Sequence, residues 1–281
     1  MAQHSDLFDT DRQDFDAADL EVAEDVATRP GPNADSPADI ERYISAAVRQ
    51  RYDVFSYRHA AAILANSFPD ELRDIEAALL SFSITQHDIG FPGGNESDMP
   101  KKFSQTLRPA GWVETRIQGD LQVRAQQYEE EILENGRTRK TKRPEGAPYI
   151  VENYIDGHKI DYVKGRVAFD LEWNSKDQTF DRDLYALRTF HECGLISAGV
   201  LVTRSASLNP VFDAVPLLNK RGETVLVDSG PRQGQPKPCK GKYGASTTWM
   251  GKLLYRLNAG RHGGCPVLVF GITPKCISDW P

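Results

Sequence analysis

Between residues 149 and 272 the chain alternates between strand-like and helix-like patterns, and this alternation limits its possible folds most. YIVENYIDGHKIDYVKGRVAFDLEWN (149–174) is rich in β-branched and aromatic residues. It reads as two or three strands with turns at Asp156-Gly157 and Lys164-Gly165. DRDLYALRTFHECG (181–194) reads as a helix ended by Gly194, and LISAGVLVTRS (195–205) as a buried strand. STTWMGKLLYRLNAG (246–260) reads as a second helix and PVLVFGI (266–272) as a last strand. A hairpin followed by helix, strand, helix and strand predicts an α/β fold with a central mixed sheet flanked by helices.

The hairpin carries acids where a strand rarely keeps them. Asp161 lies on its first arm, and Asp170 and Glu172 on its second, with Asn174 two places further on. Side chains two apart share a strand face, so Glu172 and Asn174 point the same way, and a bend near Gly165 can bring Asp161 beside them. Carboxylates that meet at one point repel unless a cation lies between them, and hard oxygen donors of this kind suit Mg²⁺. The plainer reading is an exposed hairpin whose acids face water. Asp170 is open in the same way, as a third carboxylate or a surface acid.

Upstream, PADIERYISAAVRQR (37–51) reads as a helix capped by Ser36 with Pro37 at its first position. YRHAAAILANSF (57–68) and PDELRDIEAALLSF (69–82) read as two more helices. Residues 86–111 look loop-like, and 111–123 strand-like. Residues 126–146 start as a possible helix and end in a basic cluster, Arg137, Arg139, Lys140, Lys142 and Arg143. That cluster is either a solvated loop or a contact for phosphates. Lys240 and Lys242 open a Gly-rich, hydroxyl-rich loop, which is expected either to hold phosphate or to supply Ser246 as a helix cap.

The net charge of −6 hides an asymmetry. Residues 1–39 hold nine Asp, two Glu and two Arg, a net of −9, which leaves the other 242 residues at +3. The first 39 residues are expected to be an acidic, disordered tail, and residues 40–281 a single domain with a basic insert near 125–146. A mildly basic body is compatible with nucleic acid. No apolar run is long enough to span a membrane, and the acidic N-terminus does not read as a signal peptide. Four scattered cysteines suit a reduced, cytoplasmic protein; a zinc site from Cys239, His262 and Cys265 is the less favoured use of them.

Ile160-Asp161, the hairpin, Glu172-Trp173-Asn174 and the helix 181–193 followed by GVLVTR occur in an order that resembles restriction endonucleases of the BglII and BstYI type, within the PD-(D/E)XK nuclease superfamily. The resemblance is strongest over 111–123 and 149–205. It implies a Mg²⁺-dependent type II enzyme that hydrolyses phosphodiester bonds in palindromic double-stranded DNA as a homodimer, alongside a cognate DNA methyltransferase. By position, Asp161, Glu172 and the Trp173 carbonyl would hold the metal. Asn174 would stand where the superfamily has lysine, with Lys176 able to supply the missing charge. Arg137, Arg139, Lys140, Lys142, Arg143, Lys240 and Lys242 would contact DNA. The alternatives are a nuclease of the same superfamily with little sequence preference, an inactive DNA-binding module, and a protein-interaction domain whose acids only solvate the hairpin.

Overall fold

The computed structural model describes residues 25–92 and 98–281. The chain divides into two units, one of residues 1–114 and 160–281, the other of residues 115–159. The elements of the first unit, in order, begin with α1 (Pro37–Tyr43), α2 (Ala46–Arg51), β1 (Tyr52–Tyr57), α3 (Ala60–Ser67), α4 (Pro69–Ser81), α5 (Gln86–Gly90) and α6 (Asp98–Leu107). The strands β2 (Val113–Val123), β3 (Tyr128–Ile132), β4 (Thr138–Lys142) and β5 (Tyr149–Lys164) follow, β3 and β4 lying wholly in the second unit. The chain then forms β6 (Val167–Glu172), α7 (Thr179–Glu192), β7 (Ala198–Arg204), α8 (Asn209–Ala214), α9 (Met250–Asn258) and β8 (Val267–Ile272).

The main sheet has six strands in the order β1-β8-β7-β6-β5-β2 and is mixed, as its sequence implies. β6, β7 and β8 are parallel neighbours, while β1 and β5 run antiparallel to β8 and β6. The parallel strands are buried along their length up to Glu172 at the end of β6, since helices cover both faces. On one face Val167, Phe169, Leu171, Val200, Val202, Leu268 and Phe270 join a core with Leu64, Ile75, Leu79, Phe103 and Trp112 from α3, α4, α6 and the turn after α6. The alternate residues face α7, whose buried stripe is Phe180, Asp183, Leu184, Leu187 and Phe190. The fit there is close: a Cβ on Gly199 would come within 2.7 Å of Leu187.

Several local expectations change. Ser36 caps α1 as expected, but Ser45 caps a separate α2, so 37–51 is two helices. Residues 52–57 form an edge strand that the sequence pattern did not reveal. Residues 86–111 contain two helices, and Met99, Phe103 and Leu107 of α6 enter the core. The possible helix at the start of 126–146 is instead β3, where Glu130 and Glu131 stand opposite Lys140 and Arg139 across a hairpin. The turn expected at Asp156-Gly157 is absent. β5 passes through it, with Gly157 at φ +73°, where a Cβ would fall 2.5 Å from Gln118. Of the acidic segment 1–39, residues 1–24 lie outside the described residues. Residues 25–36 are tied to the body: Ala27 N–H donates to the Gly251 carbonyl and Asp35 N–H to the Ser56 carbonyl.

Candidate active site

The turn after Lys164 sets the site. Lys164 pairs with Val167, Val163 with Ala168, and Tyr162 with Phe169. One step further, the Asp161 amide donates to Asp170 Oδ1 at 2.8 Å. Asp170, rather than Glu172, therefore stands against Asp161. Tyr162 and Phe169 meet on the apolar face, with ring centroids 5.6 Å apart. By alternation Asp161, Asp170 and Glu172 lie on the face turned to α7. There β6 reads Ala168, Asp170, Glu172 where its neighbour β7 has Gly199, Leu201 and Thr203.

Helix α7 adds a fourth acid that the sequence reading passed over. Asp183 is only 2% exposed, and one of its carboxylate oxygens lies within 4.8 Å of one from Asp170. Its spacing from Phe180 and Leu187 puts it on the helix's core stripe. That was the available signal, masked by the charged run Asp181-Arg182-Asp183.

The electrostatics follow from burying like charges. Burial first, then repulsion from Asp183, raises Asp161 above the ordinary carboxylate range and Asp170 well above it. The same two causes push Glu172 up to about 8. Arg108 near Asp161 and Arg182 near Glu172 pull the other way and are outweighed. Glu172 Oε2 is buried and has no hydrogen-bond partner among the described residues. An oxygen of this kind, among carboxylates that resist ionising together, is what a hard divalent cation would satisfy. The donor set fits Mg²⁺, with Asp161, Asp170 and Glu172 as the groups to hold it.

Other expected residues are placed differently. The Trp173 carbonyl, expected to ligate metal, instead accepts from Arg204 Nε at 2.8 Å, and its indole is buried in the opposite core. Asn174 Nδ2 donates to the Lys242 carbonyl at 3.1 Å, tying the end of β6 to the 239–248 segment. Lys176 is exposed, and its backbone bridges to Thr247. Lys242 does not face solvent as a phosphate ligand would. Its ammonium donates to the Ile89 carbonyl at 3.0 Å and to that of Phe91, and burial lowers its pKa to about 8. Lys240 pairs with Asp213 at 3.3 Å. Ser246 is not the cap of α9, which begins after Trp249. In the second unit Arg139 and Lys140 pair with Glu131 and Glu130 at 2.6 and 3.0 Å, and Arg143 pairs with Glu129. Arg137 and Lys142 are exposed and form no ion pair among the described residues. The zinc grouping does not form: Cys239 Sγ meets the Phe212 carbonyl, and His262 Nδ1 meets the carbonyl of Cys265 at 2.8 Å. No helix among the described residues is long and apolar enough to cross a membrane.

No curated protein matches the chain. A family model does, that of restriction endonuclease BglII/BglIII, over residues 52–272. The match runs from the edge strand β1 to the end of β8 and so takes in the whole main sheet and its acidic face. The chain belongs to the BglII/BglIII restriction endonuclease family, whose members cut DNA at specific sites.

Proposed function

We propose that this endonuclease is a Mg²⁺-dependent type II enzyme that acts as a homodimer on palindromic duplex DNA, with a cognate methyltransferase protecting the same sites. The two-fold symmetry of such a site matches that of a dimer. The observation that carries the chemistry is the acidic face of β6. Asp170 and Glu172 occupy positions that would otherwise be core, with Asp161 beside Asp170 and Asp183 across from it.

In this reading Asp161 and Asp170 are the principal metal ligands. When bound, Mg²⁺ supplies Lewis acidity toward water and the phosphate. The superfamily pattern of an acid, any residue and a lysine then falls on Asp170, Leu171 and Glu172, which puts Glu172 in the lysine place and Asn174 beyond it. Glu172, the third acid that would hold the metal, is also the acceptor for a proton from the attacking water. The water oxygen bonds to phosphorus, the bond to the 3′ oxygen breaks, and the leaving oxygen takes its proton from solvent. Asn174 acts through the backbone, holding the end of β6. Lys176, exposed beyond that strand, and Arg137 and Lys142 in the second unit are the cations left to meet backbone phosphates.

The test is digestion of a long unmethylated DNA with Mg²⁺, beside an EDTA control and the Asp170→Asn enzyme. Discrete fragments that vanish in both controls are expected. A smear would defeat the site-specific reading, and cleavage that survives Asp170→Asn would defeat this metal site.

A further inference from the structure

Beneath the acidic face lies a buried cation that the chemistry above does not use. Arg204, the last residue of β7, is 2% exposed and forms no ion pair among the described residues. Its guanidinium lies over the rings of Phe212 and Tyr243, with the Cζ atom 5.4 and 4.8 Å from their centroids. Burial lowers its pKa to about 10. Taking a charge out of water without a counter-ion is costly, so its position calls for a reason.

The reason lies in what it holds. Nε donates to the Trp173 carbonyl at 2.8 Å and to the Thr248 carbonyl at 3.0 Å, and Nη2 donates to Thr247 Oγ1 at 2.6 Å. Its neighbour Thr203 donates to the Glu172 carbonyl at 2.8 Å. The end of β7 thus grips the peptides of Glu172 and Trp173, just where β6 delivers its last acid. The gripped segments also hold each other: Thr248 N–H donates to the Ser175 carbonyl and Asp177 N–H to that of Ser246.

We propose that Arg204 is a positioning residue for cleavage, fixing the Glu172–Asn174 segment against the 244–248 loop so that Glu172 meets the reacting water. This rests on the reading of Glu172 given above. Lysine at 204 would keep the charge but lose the fork that reaches three oxygens in a fixed geometry.

The test is single-turnover cleavage by Arg204→Lys and Thr247→Val, with DNA affinity measured in Ca²⁺. A displacement of about 1 Å at a reacting group costs on the order of 100-fold in rate. Arg204→Lys is expected to lower the cleavage rate by about 10- to 100-fold with DNA affinity within about threefold. Thr247→Val, which removes the hydroxyl that accepts from Arg204 and donates to the Gly244 carbonyl, should lower it by about fivefold. Leu253→Ala, a buried change in α9, serves as the control for general destabilisation and should keep its rate. If Arg204→Lys and Thr247→Val cleave as Leu253→Ala does, Arg204 is structural only and the proposal fails. If Glu172→Gln, run alongside, also cleaves normally, the failure lies in the reading of Glu172 itself.

Discussion

Two residues apart on α7, Asp181 and Asp183 serve opposite kinds of charge cluster. Asp181 faces a mixed cluster. Arg256 Nη2 lies 2.9 Å from it, Arg261 also pairs with it, and Lys252 joins Asp177 at 3.5 Å and Asp25. Burial alone would raise Asp181, but the hydrogen bonds from Arg256 and Arg261 hold it below the ordinary range. Asp183 repels the acids of the sheet, and there the pKa values of Asp161, Asp170 and Glu172 rise. The difference separates structure from function. A cluster that balances its own charge supports the fold, while one that leaves carboxylates in surplus waits for a cation from outside.

The strongest test of that contrast is to neutralise one acid from each cluster. Asp170→Asn should abolish cleavage, by about 10³-fold or more if the metal supplies the several kcal/mol expected of it. Asp181→Asn should leave the cleavage rate within about threefold. Single-turnover assays on both enzymes decide it; equal losses would erase the distinction.

Acidity should separate the two clusters next. For Asp161, Asp170 and Glu172 the folded pKa is raised, so the folded chain binds more protons than the unfolded one. Their contribution to stability is complete below the ordinary carboxylate range and is lost as pH rises, up to about 8 for Glu172. Metal-free protein should therefore melt at a lower temperature at pH 8 than at pH 5.5. Saturating Mg²⁺ should reduce that fall, and Asp183→Asn should reduce it without metal. Asp181 and Asp25 carry the opposite sign: their lowered pKa values give stability above the ordinary range, lost as pH falls below 4. A melting temperature that climbs from pH 5.5 to 8 without metal would contradict the acidic-surplus account.

The sequence disclosed the layers of this fold more readily than its registers. Ala198–Arg204 and Val267–Ile272 stand out because parallel strands buried on both faces are nearly continuous apolar runs, and Val167–Glu172 because its apolar residues alternate with acids. β1 does not, since the strand it pairs with, β8, is some two hundred residues away and its own pattern is irregular. The acids of the site were visible as residues, but their pairing was not. Reading Asp161 against Glu172 requires a wider hairpin than the two-residue turn at Gly165-Arg166 allows, and that turn places Asp170 opposite instead. Asp183 was missed because a charged run at the start of a helix looks solvated. Only its position between Phe180 and Leu187 shows that it points inward. Lys242 misled in the other direction, since nothing local indicates that a lysine in a Gly-rich loop will cap the carbonyls of Ile89 and Phe91.

A stability measurement sharpens the comparison further. Asp181→Asn removes the main partner of Arg256, which is 4% exposed. Breaking a buried pair is costly, but Asp181 is 40% exposed and partly screened, so the expected loss is about 1–2 kcal/mol in urea unfolding. Asp183→Asn should instead stabilise the metal-free protein at pH 8, because it relieves repulsion on three other acids.

The smallest effects belong to the lysines. Lys142, exposed on β4 and outside the cross-strand ion pairs, is free to meet a phosphate, whereas Lys242 is locked to backbone carbonyls. Lys142→Ala should weaken binding to all DNA sequences alike and reduce the salt dependence of affinity by about one unit of slope, with no change in melting temperature. Lys242→Ala should do the reverse, lowering stability because the Ile89 carbonyl loses a donor, while leaving the salt slope unchanged. Filter-binding titrations across a range of salt, paired with thermal melts, would show both. If Lys242→Ala flattened the slope instead, its ammonium would have to leave those carbonyls when DNA binds, and the 239–248 segment would be a moving part of the interface rather than a fixed support for β6.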